Sequence, residues 1–333
     1  MKAGLLEKLR CPSCTDGTLF VQAETRMECR GCGCGYNVTR GVPVLLTKES
    51  ELRIKRFYER RKQSKDTSSS AAEQRIRFRK LARIIEPPSG VRWGDNRGQK
   101  LRAAWKLAQD HADGNAARGV RTLCIGNLHV PEASRSFTEE LNSSSACFVH
   151  MDIINKPHID VVADGYNLPF PDGSFDLVIA QATFKHLSNP VEFVREVSRV
   201  LGESGVLYAE FAYLLVYHRW PGDYLRYTPL GIRELLNGFE TVELGPSRGA
   251  SFTLVEVLTV YLACLVSLNN RYLYSTFKTL FGWLLHPIRY LDLLLRTNTW
   301  AEQISQVDYC VARKRVDERD LRDGRGDRPL AAD

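Results

Sequence analysis

Residues 163–210 read ADGYNLPFPDGSFDLVIAQATFKHLSNPVEFVREVSRVLGESGVLYAE. Ser174 to Ala180 follows a Pro-Asp-Gly turn signal and is rich in apolar and β-branched residues, which predicts a strand. Val191 to Leu201 places Val191, Val194, Val197 and Leu201 on one helical face. Gly205 to Phe211 is again strand-like. Continuously apolar strands joined through a helix imply parallel pairing, with both faces of the sheet covered.

The same alternation extends outward. Val120 to Ile125 is a candidate first strand ending at Gly126, followed by a helix over Pro131 to Leu141. Ala146 to Met151 is a second strand, ending at Asp152. Ile159 to Ala163 is a third, ending at Asp164. On the carboxyl side, Tyr227-Thr228-Pro229 predicts a helix start, with Thr228 as cap and Pro229 at the first position. Phe239 to Leu244 and Ile304 to Arg313 supply a sixth and a seventh strand. The fold class is therefore α/β, a doubly wound, seven-stranded, mostly parallel sheet. Such sheets bind ligands at the carboxyl ends of their strands, where Gly126, Asp152, Asp164 and Gln181 fall.

The stretch from Asp164 to Glu210 resembles class I S-adenosylmethionine (SAM) methyltransferases of the UbiE-like type, and the resemblance spans about residues 120 to 245. It implies that Asp152 bonds the ribose hydroxyls, which suits a carboxylate that can accept two hydrogen bonds. It further implies that Asp164, with Gly165 beside it, receives the adenine amino group, and that Gln181 lies beneath the methionine part. His186 matches the histidine of a frequent Glu-His pair, with Lys185 in place of the glutamate. The first motif departs from the pattern. Cys124 stands where an acid is expected, and Leu128 and Val130 occupy usual glycine positions, so a side chain there would crowd the cofactor.

Residues 211–247, FAYLLVYHRWPGDYLRYTPLGIRELLNGFETVELGPS, resemble a stretch of methyltransferases encoded with polysaccharide and glycolipid biosynthesis genes. That likeness implies acceptor binding by the cluster around His218, Asp223, Tyr224, Arg226 and Tyr227. His186 and His218 are the candidate general bases, given an acceptor proton within hydrogen-bond reach. A polar lid with aromatic packing is the plainer reading of the cluster.

The amino-terminal segment carries Cys11 and Cys14, then Cys29 and Cys32, as two C-x-x-C knuckles with strand-like segments Thr18 to Ala23 and Arg26 to Cys29 between them. Four thiolates on two knuckles make a closed, structural zinc site. A module this small takes much of its folding free energy from the metal. Cys34 is a spare thiol that could replace Cys32. Residues 1 to about 47, including the strand-like Gly41 to Leu46, resemble the zinc-ribbon activators of tRNA methyltransferases. In that family the ribbon is a partner module that performs no chemistry.

The organisation expected is a zinc ribbon at 1–47, a basic helical linker at 48–98, a methyltransferase domain at 99–315 with a helical insertion at about 250–296, and a disordered charged tail at 316–333. Helices are expected at Glu49 to Lys62, Ala71 to Ile85 and near Gln99 to His111. Net charge is +7. Lys48 to Arg83 holds 13 Lys/Arg against five Asp/Glu, so the linker accounts for the whole excess. It either attracts nucleic acid or an acidic membrane surface or is a solvated face. Phe252 to Leu268 is apolar but shorter than the roughly 20 residues that span a bilayer, so a buried or surface-lying helix is expected. The insertion reads either as an amphipathic cover for a lipid-linked acceptor or membrane surface, or as a packed helical pair, which is favoured.

The function expected is methyl transfer from SAM to a small-molecule, glycan or lipid-linked acceptor, with zinc structural. An RNA methyltransferase and a non-catalytic binding protein with a degenerate cofactor pocket are the alternatives. With no apolar secretory region near Met1, a cytoplasmic location is expected, or one peripheral to the inner face of a membrane. The sequence leaves the oligomeric state open.

Overall fold

The computed structural model describes residues 5–14, 17–65, 97–112, 119–126, 147–217, 222–295 and 297–315. The expected helices at Ala71 to Ile85 and Pro131 to Leu141, the residues Leu128, Val130 and His218, and the tail after Arg315 lie outside the described residues.

Seven strands form the expected α/β sheet: β5 (Arg121–Ile125), β6 (Cys147–Asp152), β7 (Val161–Ala163), β8 (Phe175–Ala180), β9 (Leu201–Ala212), β10 (Phe239–Arg248) and β11 (Val307–Lys314). Their order is β7-β6-β5-β8-β9-β11-β10. Pairing is parallel from β7 to β9, and β11 runs antiparallel to both β9 and β10. The order reverses direction at β5, which is where such folds open a crevice for ligand. The sixth strand runs four residues beyond the expected Leu244. The seventh starts at Val307, because Thr299–Ile304 winds into a short 3-10 helix capped by Asn298.

The ribbon is not a separate body. Its strands β1 (Leu19–Ala23), β2 (Arg26–Cys29), β3 (Gly35–Thr39) and β4 (Val42–Leu45) form an antiparallel meander. Then β4 pairs in parallel with β7, Val44 opposite Val162 and Leu45 opposite Ala163. One sheet of 11 strands results. The cores merge as well: Leu5, Leu9, Met27, Tyr36 and Leu45 belong to the same buried cluster as Val161, Leu168, Phe170 and Phe193. The Arg10 N–H donates to the Pro169 carbonyl at 3.0 Å. This docking covers an edge that would otherwise present unpaired backbone groups.

Helix α1 (Lys48–Lys65) leaves β4 directly, with the Thr47 hydroxyl accepting from the Ser50 N–H at 3.1 Å. Helix α2 (Arg97–Ala112) covers the opposite face, burying Leu101, Ala104 and Ala108 against Cys124, Leu177, Ile179 and Tyr208. Helix α3 (Pro190–Val200) starts at the Asn189 cap and buries Phe193, Val194 and Val197. Helix α4 (Pro229–Leu235) begins as expected, Thr228 accepting from the Gly231 N–H.

The insertion is a packed helical pair, α5 (Ala250–Ser267) and α6 (Arg271–Leu284). With 18 residues, α5 is the one helix among the described residues long and apolar enough to cross a membrane by length and composition. It nevertheless buries Phe252, Val255, Thr259 and Ala263, a stripe at helical spacing, against the protein.

Candidate functional site

Sheet order sets the site. Asp164 follows β7, Asp152 ends β6, Gly126 follows β5, Gln181 follows β8, and Glu210 lies near the end of β9. Five consecutive strands thus carry their chemistry-bearing residues at one edge. At about 4.8 Å per strand, this row extends roughly 19 Å, enough for an extended ligand to lie across the sheet. The expectation for Asp152, Asp164, Gly126 and Gln181 is that they converge, and the topology brings them together.

Each residue is held differently. Gly126 has φ +87°. A Cβ there would stand 2.8 Å from Thr183 Oγ1, so both conformation and space require glycine. Asp152 is 7% exposed. Its carboxylate accepts from the Ile154 N–H at 3.0 Å and from Lys156 Nζ at 2.6 Å. Asp164 is 3% exposed. Its Oδ1 accepts from the Tyr166 N–H at 3.2 Å, while Oδ2 takes no hydrogen bond and faces Arg53 Nε at 3.2 Å. An acceptor oxygen buried without a hydrogen bond fits the place of an amino group from a ligand. Gly165 serves packing: a Cβ would meet the Phe193 ring at 2.8 Å.

Gln181 Nε2 donates to Glu210 Oε1 at 2.9 Å, and the Tyr208 hydroxyl donates to the same oxygen at 3.1 Å. Glu210 and Arg53 were not singled out from the sequence. Glu210 has a signal in hindsight, an acid at the end of an otherwise apolar strand. Arg53 has none, being one cation in a basic run.

Beyond Glu210 lies a cavity of about 160 Å³, lined by Lys185, Glu210, Leu215, Arg248 and Glu256 among others. Burial pushes the Lys185 ammonium below its usual range, partly offset by Asp223. Two cations and two carboxylates around so small a space favour a polar, charge-bearing occupant. The His186 Nδ1–H donates to the Gly222 carbonyl, an assignment that makes Nε2 the ring's basic atom. Lys185, rather than its neighbour His186, lines the cavity. In the candidate acceptor cluster, Arg226 forks onto the Asp223 carboxylate, and Tyr227 packs edge-on to Phe184 and Phe211. Asp223, Arg226 and Tyr227 are thus engaged with one another or with the aromatic core and do not line the cavity.

In the ribbon, the sulfurs of Cys11, Cys14, Cys29 and Cys32 all lie within 4.8 Å of one another. The Cys11–Cys32 and Cys14–Cys29 separations are both 3.6 Å. Tetrahedral zinc with bonds of about 2.3 Å needs sulfurs roughly 3.8 Å apart, so the cradle fits. Gly17 keeps it open: a Cβ there would lie 2.1 Å from Cys29 Sγ and 2.7 Å from Cys14 Sγ. Around the sulfurs, Tyr36 Oη stands 3.0 Å from Cys11 Sγ, and the Gly31 N–H points at Cys29 Sγ at 3.3 Å. Cys34 stands outside this group of four, which contains Cys32 as expected.

A seven-stranded, largely parallel sheet with this row of residues at its switch point is the class I methyltransferase fold. Residues 129–209 match the family described as methyltransferase domain. Among solved structures, a putative sarcosine dimethylglycine methyltransferase from Galdieria sulphuraria is 15% identical. That match covers 65% of this chain and 86% of the other, with a TM-score of 0.39. A putative methyltransferase from Bacillus halodurans is also 15% identical, over 66% of this chain and 100% of the other, with a TM-score of 0.39. A complex between a Haloferax volcanii methyltransferase activator and a putative methyltransferase includes a chain 15% identical, over 67% and 95%, with a TM-score of 0.36. No curated protein matches this sequence.

Proposed function

We propose that this protein transfers the methyl group of SAM to a small polar acceptor seated in the Lys185–Glu210–Arg248–Glu256 cavity. The observation that carries the reading is the row Asp164, Asp152, Gly126, Gln181 across adjacent strand ends. When bound, SAM supplies a methyl group on a positively charged sulfur, already an excellent leaving group. The protein's share is therefore orientation and exclusion of water. Asp152 receives the ribose hydroxyls once Lys156, 36% exposed at its side chain, swings away. Asp164 Oδ2 accepts the adenine amino group. Gln181 fixes Glu210 where the methionine part meets the acceptor cavity. An acceptor hydroxyl or amine loses its proton to Glu210, the carboxylate that lines the cavity beside Gln181. Lys185 and Arg248 favour an acceptor carrying an anionic group, which suits a small molecule, an acidic saccharide or a phosphate-linked lipid.

Calorimetric titration of SAM and of its demethylated product into zinc-loaded protein tests the reading. Micromolar binding, weakened at least about tenfold in Asp152→Ala, is expected. Folded protein that binds neither ligand would refute it and leave a methyltransferase fold used for binding alone.

A further inference from the structure

The helical pair leaves a large apolar surface uncovered. Along α5, Leu254, Val257, Tyr261 and Leu265 are exposed, as is Leu268 just past its end. Their spacing of three and four residues makes one continuous stripe, opposite the buried one. The chain turns back at Leu268 and Asn269, both with positive φ. Asn270 then caps α6 by accepting from the Tyr272 and Leu273 N–H groups. On α6, Leu273, Leu280, Trp283 and Leu284 are exposed in turn. Of the 25 large apolar side chains exposed among the described residues, 17 fall between Leu254 and Ile304. A patch of this kind marks a contact surface.

Charge selects the occupant. From Leu254 to Ile304 the sequence contains Arg271, Lys278, Arg289 and Arg296 against Glu256, Asp292 and Glu302. Asp292 is 9% exposed, and its Oδ1 accepts from the Ser251 N–H at the start of α5. Glu256 is half-buried, so among the described residues the outer face of the α5–α6 hairpin presents cations, Arg271 and Lys278, and no exposed acid, while the exposed Glu302 lies beyond it. A second copy meeting it symmetrically would set like charge against like. An anionic bilayer supplies the opposite charge, and exposed Tyr and Trp rings suit the headgroup region. Spanning is disfavoured, since the inner stripe of α5 packs on the core and Glu256 accepts from Gln306 Nε2.

We infer that the α5–α6 hairpin is a docking surface for an anionic lipid bilayer, lying in the interface with its basic residues at headgroup level. The surface is independent of SAM binding. It does place the membrane on the outer side of the helix whose Glu256 lines the acceptor cavity.

Cosedimentation of the full-length, zinc-loaded protein with vesicles tests it. The vesicles are phosphatidylcholine, with or without phosphatidylglycerol. At least about tenfold stronger partition onto the anionic vesicles is expected. The charge-reversed double variant R271E/K278E should fall to the neutral-vesicle level, and L280N/W283S should lose binding to both. All four positions are exposed, so both variants should keep wild-type zinc content and unfolding temperature. Absence of partition by folded protein, or equal partition onto both vesicle types, would overturn the inference. So would a dimer in solution that W283S alone dissociates.

Discussion

Arg53 Nε stands 3.2 Å from Asp164 Oδ2, and the same guanidinium lies over the Tyr166 ring at 4.7 Å. The contact follows from strand register. Leu45 on β4 sits opposite Ala163 on β7, so α1, starting three residues after Leu45, is carried across the carboxyl end of β7. An element that belongs to the ribbon side thereby touches the carboxylate proposed to take the adenine amino group.

That contact competes with a ligand. Arg53→Ala should release Asp164 and tighten SAM binding by about 1 kcal/mol, roughly fivefold. Asp164→Asn in the same background should abolish the gain. Titration calorimetry distinguishes the outcomes. Weaker binding in Arg53→Ala would show that the guanidinium is part of the binding surface and not an obstacle to it.

Gly126 combines positive φ with a blocked Cβ position. Gly126→Ala should therefore cost about 1–3 kcal/mol in stability, read as a lowered unfolding temperature, and should also weaken SAM binding. Thr183→Ala added to it removes the 2.8 Å encounter but not the strain of the left-handed backbone. Partial recovery is expected. Complete recovery would mean that sterics alone demand the glycine.

Much of this was legible in the strands themselves. Apolar runs ending in Gly126, Asp152, Asp164 and Gln181 announce both the sheet and the residues at its carboxyl edge, because alternation of strand and helix patterns and turn chemistry are local. The β4–β7 pairing was not legible. Val44 and Val162 are distant in sequence, and nothing in either strand specifies that partner. The same holds for Arg53 on Asp164 and for Gln181 on Glu210, both of which exist only through register. Phe239 to Leu244 also came out short, since its continuation to Arg248 depends on pairing with β11.

The ribbon's docking gives the metal a structural reach beyond its own residues. Wild-type protein should hold about one zinc per chain, measured by elemental analysis. Gly17→Ala, whose Cβ would collide with two of the sulfurs, should hold much less. Because Met27 and Tyr36 share a buried cluster with Val161 and Phe170, chelation should lower the unfolding temperature of the whole molecule and promote association through the exposed β7 edge. A chelated protein that unfolds at the unchanged temperature would show that the sheet does not depend on the ribbon.

Asp308 offers a pH test inside the sheet. It is 3% exposed. Ser305 Oγ donates to its Oδ1 at 2.7 Å, and Oδ2 takes no hydrogen bond. Burial pushes its carboxyl from 3.8 up to about 6. A folded value above the unfolded one means that the native state holds the proton more tightly. Ionisation therefore costs stability, beginning near pH 4 and complete above about pH 6. Asp308→Asn keeps an acceptor for Ser305 and removes the charge. It should gain about 1–3 kcal/mol over wild type at pH 8, shrinking to little near pH 4. Denaturant unfolding of both proteins at the two pH values measures the difference. A variant less stable than wild type at pH 8 would mean that a cation, and not burial alone, governs this carboxylate.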